Sequence, residues 1–321
     1  MSKRRIILIV LTIVACVVVI AYLFPVYWLV SMSFRIQKDM FAWPPKLFTL
    51  HLTLRNYKGL VEGHGLLWYL RNSAIIAPLS VALSMVIGSV AAYGLARFRY
   101  PGKVGSQIAS WILSLRMLPP VAAVLPLFLI FSRLRLVDKF YGISLAYTFF
   151  NLPFIIWLLK IYFEDVPEEV EQAALVDGAN RIQIFFRITL PLSTPGIATT
   201  FILALAASWN EFLMASQLAT FNTRTLPVLI ASFIWDRNLQ WGYATASAVI
   251  SALPILIIGL FIQRYIVKGL SFVKIVELSL SSNVLPVRPL FHLEANFVVS
   301  AATNLKNLAK HSIKIYPLMK N

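Results

Sequence analysis

NSAIIAPLSVALSMVIGSVAAYGLARFRYPGK, residues 72–103, has no charged side chain from Ala74 to Ala96 and then turns basic with Arg97, Arg99 and Lys103. A run of that length crosses about 30 Å of hydrocarbon as a helix. Cations crowded into the tight turn that follows favour the cytoplasmic face. Runs of the same kind lie at 6–31, 106–132, 142–162, 196–218 and 243–263, so the chain reads as an all-α polytopic membrane protein with six transmembrane helices. Composition agrees: 59% of the 321 residues are hydrophobic and only 13% charged, where a soluble domain has about a quarter charged. The mean hydropathy is +0.77.

The formal charge of +16 reads as basic loops flanking spans, and no nucleic acid is expected as a partner; membrane lipid is. Cys16 is the single cysteine, which excludes an internal disulfide and a cysteine metal cluster. His51, His64, His292 and His311 are scattered without paired spacing, so no metal site is expected. The first run follows MSKRR, is too long for a leader and ends in no small-x-small cleavage site, so it is read as an uncleaved anchor. With the N-terminus inside, Lys and Arg up to residue 268 divide 11 to 11 between the two sides. Placement breaks the tie: SKRR before the first span and RFRYPGK after the second put both termini in the cytoplasm. In span three, Pro119, Pro120 and Pro126 predict a kinked helix packed inside the bundle.

Between spans four and five the chain gathers Glu164, Asp165, Glu168, Glu169, Glu171 and Asp177, six of its 13 acids, with no Lys or Arg among them. Asp165 and Glu168 suit an N-cap and its capping-box partner, with Pro167 in the first turn. Val170, Ala173, Ala174 and Asp177 then form a narrow face of small side chains, and Gly178 permits a left-handed stop. A second helix is expected from Asn180 to Leu190, with Ile182, Phe185, Phe186 and Thr189 on one face and Pro191 at its end. An alanine face lets another surface approach closely, and acids around it meet basic residues. The loop is therefore read as a docking knob for a cytoplasmic partner.

EQAALVDGA (171–179) followed by FFRITLP (185–191) resembles the EAA loop of ATP-binding-cassette importer permeases. The likeness extends over about residues 1–270. WNEFLMA (209–215), TLPV (225–228) and WGYATASAVISALPILIIGLFIQRYIVKGL (241–270), with the 72–103 stretch, point to the carbohydrate-importer branch and its maltose-type G permeases. The resemblance implies the type I importer permease fold. It also implies a coupling helix, spanning Val170, Glu171, Gln172, Ala173, Ala174, Asp177, Gly178 and Ala179, that seats in a cleft of an ATPase subunit. Gln172 stands where the family has Glu, with Glu171 beside it as the candidate replacement. The implied partners are a homologous second permease, an ATPase dimer and an extracytoplasmic solute-binding protein, which the basic outer loop 35–72 could meet. No GxxxxGK[ST] occurs, and PGKVGS (101–106) has the wrong order for a phosphate loop. ATP and magnesium are therefore expected on the partner ATPase and no cofactor on this chain, which is read as a transporter subunit in the cytoplasmic (inner) membrane and not as an enzyme.

Intramembrane charge is costly and marks function by default. Arg116 in span three and Glu211 in span five, with Trp209 and Asn210 beside the latter, are candidates for a translocation path or for helix packing through a Glu211–Arg116 pair. The chain divides into 1–71 (first span and outer loop), 72–270 (permease core with the EAA loop at 164–191) and 271–321, a basic tail atypical of the family. The alternative function, a stand-alone ion-coupled carrier, lacks internal repeats and has only Glu211 to relay a proton.

Overall fold

The computed structural model describes residues 3–44, 47–48, 52–98, 100–102, 104–235 and 239–260. The chain divides into two units, Met1–Ile262 and Gln263–Asn321; the second, with the tail 271–321 and the end of the sixth expected span, lies outside the described residues. Among these, every regular element is helical. Apart from a one-turn helix at Gln37–Met40, they are α1 (Lys3–Ser33), α2 (Arg55–Glu62), α3 (Leu66–Arg97), α4 (Val104–Ser114), α5 (Pro120–Arg133), α6 (Phe140–Glu164) and α7 (Glu168–Val176). Then come α8 (Arg181–Leu192), α9 (Thr194–Trp209), α10 (Leu213–Leu218), α11 (Leu226–Trp235) and α12 (Trp241–Leu260). By length and composition, four helices can cross a membrane, or up to six if each bent pair counts as one span.

The core forms where α3, α6 and α9 meet, and the sequence explains why they pack closely. On α3, Ser80, Ser84, Gly88 and Ala92 recur every four residues and are all buried. On α9, Gly196, Thr200, Ala204 and Ser208 do the same. Such stripes bring backbones together where lipid gives no hydrophobic drive for association. A Cβ on Gly88 would stand 2.7 Å from Ile155 Cγ2 of α6. Polar side chains cross the seams: Thr148 Oγ1 donates to the Ser80 carbonyl at 3.2 Å, and Asn151 Nδ2 donates to Ser208 Oγ at 2.7 Å. Such bonds contribute on the order of 0.6 kcal/mol each. By contrast, residues 8–27 of α1 are exposed throughout.

Two spans depart from the expected outline. Span three is broken and not merely kinked: α4 ends in a 3-10 turn at Leu115–Met117, and the chain bends by 91° before α5. Pro119 takes the N-cap position and Pro120 the first turn of α5, where the missing N–H groups cost nothing. The run 196–218 is also two helices, because α9 stops at Trp209 and α10 starts at Leu213. The break has a local cause: the Glu211 carboxylate accepts the N–H of Met214 at 3.0 and 3.1 Å and that of Ala215 at 3.2 Å, capping α10.

At the end of the bundle opposite Arg97, the loop after α10 is clamped. Asp138, in the left-handed region with φ 58, receives the N–H groups of Thr220, Phe221, Asn222 and Thr223 and the side chains of Asn222 and Thr223 on its carboxylate. Asn72 Nδ2 of α3 donates to the carbonyls of Asn222 and Arg224 at 3.1 and 3.0 Å, and the Leu226 N–H donates to Ser73 Oγ at 2.8 Å. Partial burial raises the Asp138 pKa, but the bonds from Asn222, Thr223 and Phe221 outweigh it, and the carboxyl lies below its ordinary value of 3.8. A depressed carboxylate pKa stabilises the fold above the unfolded value and loses that contribution as pH falls through the folded one. Asp138→Asn is therefore expected to lower the melting temperature at neutral pH, with the gap to wild type closing only below 3.8. Melting curves of both proteins across that range check this; a gap independent of pH would contradict it.

Candidate functional site

The acidic loop forms two short helices at the Arg97 end. Its first helix, α7, does not begin as the sequence suggests. Asp165 caps the C-terminus of α6, and Pro167, which has no side chain able to cap, occupies the N-cap of α7. The capping box lies at the second helix instead, where Asn180 Oδ1 accepts the Gln183 N–H at 2.8 Å and Gln183 Oε1 accepts the Asn180 N–H at 2.9 Å. Between the two helices, Gly178 has φ +86. The Gly178 N–H reaches the Leu175 carbonyl at 3.1 Å and the Ala179 N–H the Ala174 carbonyl at 2.9 Å, the paired bonds of a Schellman stop.

Glu171 is 2% exposed and points into the protein. Its carboxylate pairs with Arg97 Nε at 2.9 Å and accepts hydrogen bonds from Thr189 Oγ1 at 2.7 Å and Tyr93 OH at 3.1 Å; Arg181 Nη1 lies 3.8 Å away. Arg97 also donates to the Val166 carbonyl. One carboxylate thus binds α7 to the end of α3 and to α8. Phe185 fills the space beneath, with its ring 4.9 Å from Tyr93 and 6.2 Å from Phe163. Residues Phe185–Thr189 form a π-helical turn. The wider turn changes the face expected for α8: Ile184, Phe185 and Thr189 are buried, while Ile182 and Phe186 face outward.

With Glu171 inward and Ala174 half-buried, α7 presents Val170, Gln172, Ala173, Val176 and Asp177 outward, and Ala179 is half-buried behind them. Val176 is 88% exposed, the most open apolar side chain on the knob. Sequence reasoning missed it, together with Arg97, Tyr93 and Thr189. The available signal was the inward period 171, 174, 175, from which Val176 falls out. Gln172 is exposed and Glu171 buried, so Glu171 does not supply a carboxylate at the outward face where Gln172 stands; the two positions face opposite ways on one helix.

The second candidate group does not assemble. Glu211 is occupied with capping α10, and its backbone carbonyl accepts the Tyr147 hydroxyl at 3.2 Å. Trp209 is buried and donates Nε1–H to the Ser251 carbonyl of α12 at 2.9 Å. Asn210 is exposed, and its Nδ2 donates to the Ala206 carbonyl. Arg116 is exposed, with its guanidinium 4.3 Å from the centre of the Phe154 ring. No Glu211–Arg116 ion pair forms among the described residues.

Residues 84–272 match the family of binding-protein-dependent transport system inner membrane components. The chain belongs to that family. It is 35% identical over 267 residues, 82% of this chain and 95% of the relative, to the trehalose/maltose transport system permease protein MalG of Thermococcus litoralis. It is 34% identical over 263 residues, 81% of this chain and 90% of the relative, to the sulfoquinovosyl glycerol transport system permease protein SmoH of Agrobacterium fabrum. In fold it is similar to a chain of the bacterial alginate ABC transporter crystallised with its alginate pentasaccharide-bound periplasmic protein, with a TM-score of 0.60 at 17% identity over 81% of this chain and 93% of that one. The resemblance to the carbohydrate-importer branch therefore holds, and the protein is an inner-membrane permease subunit of an ATP-binding-cassette importer.

Proposed function

We propose that this permease moves a carbohydrate across the cytoplasmic membrane and is driven by a separate ATPase that docks on α7. The observation that carries this reading is the two-sidedness of α7: Glu171 is fixed inside, while Val170, Gln172, Ala173, Val176 and Asp177 face outward. Val170, Ala173 and Val176 fill the cleft of the ATPase, and Asp177 and Gly178 shape the end of the knob. ATP and magnesium bind on the ATPase dimer. Its closure draws this knob and that of a homologous second permease together, and the path between the permeases turns outward to an extracytoplasmic solute-binding protein. Hydrolysis resets it. Both termini lie in the cytoplasm, on the ATPase side.

The test is a pull-down from detergent extract with wild type and Gly178→Asp as bait. No atom lies within 4 Å of a Cβ added at Gly178, so the variant meets only the left-handed backbone cost, about 1–2 kcal/mol, and it inserts. The added charge and the shifted stop spoil the docking face. Wild type is expected to recover a P-loop ATPase and a second permease, and the variant to recover the permease but at least roughly tenfold less ATPase, the equivalent of about 1.4 kcal/mol. Equal recovery of the ATPase by both would remove the knob from the mechanism. Recovery of neither partner by wild type would return the ion-coupled carrier.

A further inference from the structure

We propose that Arg116 is the cation of a water-filled subsite at mid-membrane depth that receives an anionic substituent, a carboxylate in the first instance, on the transported sugar. This rests on the transport reading above and adds a substrate class to it. Phe154, over which the guanidinium lies, is near the middle of the 25-residue α6. At about 1.5 Å per residue it stands roughly 15 Å from the Glu164 end and roughly 21 Å from the Phe140 end. From that distance to both helix ends an arginine side chain gains little by snorkelling. The charge is also permanent, because a guanidinium does not deprotonate in proteins.

Such a charge facing lipid is strongly unfavourable even where the bilayer deforms around it. Arg116 is exposed on this chain, and the only acid placed within the described spans, Glu211, is turned to the N–H groups of Met214 and Ala215. Among the described residues no carboxylate lies within ion-pair distance of it. It sits at the 91° break of span three, where the 3-10 turn Leu115–Met117 interrupts the lipid-type helix. Interrupted backbone at membrane depth is tolerated where it is buried in protein or lines a water-filled cavity. The Phe154 ring covers one face of the guanidinium and leaves its edge of N–H donors for a planar anion. The alternative neighbour, a carboxylate of the second permease closing a dry ion pair, leaves no water beside Arg116, and the experiment separates the two.

Met117 is 83% exposed and adjoins Arg116. In Cys16→Ser/Met117→Cys protein in opened native membrane vesicles, where its partners are present, the rates of labelling by an anionic and a cationic methanethiosulfonate are compared. With each rate taken relative to that of a small free thiol in solution, the anionic reagent is expected to react roughly tenfold faster, drawn by the neighbouring charge. That preference persists with Arg116→Lys and falls to near unity with Arg116→Gln. Glucuronate at high concentration slows the labelling when Arg116 is present and glucose does not. No labelling by either reagent, equal rates, a preference indifferent to residue 116, or no protection by glucuronate would each overturn the proposal. The labelling needs no ATP and no docking at α7, so its failure is distinguishable from failure of the pull-down.

Discussion

Glu171→Ala is expected to lower the melting temperature of the detergent-solubilised protein by roughly 10 °C and to cut the yield of monodisperse protein sharply. The carboxylate is buried and holds three close partners, Arg97, Tyr93 and Thr189. Its removal leaves the Arg97 guanidinium, itself 4% exposed, with the Val166 carbonyl and no counter-charge. Truncating one partner of a buried ion pair costs about 3–5 kcal/mol, more than the intact pair contributes, because the surviving charge stays desolvated. Glu171→Gln keeps the shape and one acceptor oxygen and should lose about half as much. Gln172→Ala, one position along on the exposed face, should stay within about 0.5 kcal/mol of wild type. Thermal challenge followed by size-exclusion chromatography reads all three. Glu171→Ala melting with wild type would mean that the loop is not held by this pair.

The second large effect is expected at Gly142, in the first turn of α6. A Cβ there would stand 2.0 Å from the Leu136 carbonyl oxygen and 2.9 Å from its carbon. Both are backbone atoms, so no rotamer change relieves the clash. The turn from α5 to α6 has little slack, since Arg135 and Asp138 already take φ 55 and 58. Gly142→Ala must open this turn, and the Asp138 clamp on residues 220–223 goes with it. A loss of about 3 kcal/mol or more is expected from overpacking and the broken bonds together. The same chromatographic assay, with limited proteolysis of the loop after α10, reports it. Wild-type melting and an intact loop would show that α5 can back away.

Four of the six apolar runs, which stand as single helices among the described residues, and the stop at Gly178 were legible because hydropathy and turn chemistry are local properties. The break at Pro119 and Pro120 was legible in place though not in size, since two prolines announce a lost hydrogen bond and not an angle. What joins distant parts was not legible. Arg97 reads as one of several cations marking a cytoplasmic turn and Glu171 as one of six clustered acids; nothing near either names the other. The stripe Ser80, Ser84, Gly88 and Ala92 is hidden within an apolar run, where only the four-residue recurrence of small side chains sets it apart. Asp138 drew no attention because its ligands are mostly backbone N–H groups more than 80 residues further along. From sequence, Glu211 reads as a candidate for a translocation path or for a packing pair with Arg116, whereas its carboxylate takes the N–H groups of Met214 and Ala215.

Fastening α3 and α6 at both ends has a mechanical consequence. At one end Arg97 of α3 holds the Val166 carbonyl just beyond α6 and, through Glu171, α7; at the other, Asn72 and Ser73 of α3 and Asp138 just before α6 hold the same loop. A pair of rods bolted top and bottom cannot shear, so a push on α7 must pivot both together as a lever. The arm is the 32-residue α3, about 48 Å long at 1.5 Å per residue, so a tilt of roughly ten degrees displaces its far tip by about 8 Å. A shift of that size at the Asn72 end needs no bending of either helix.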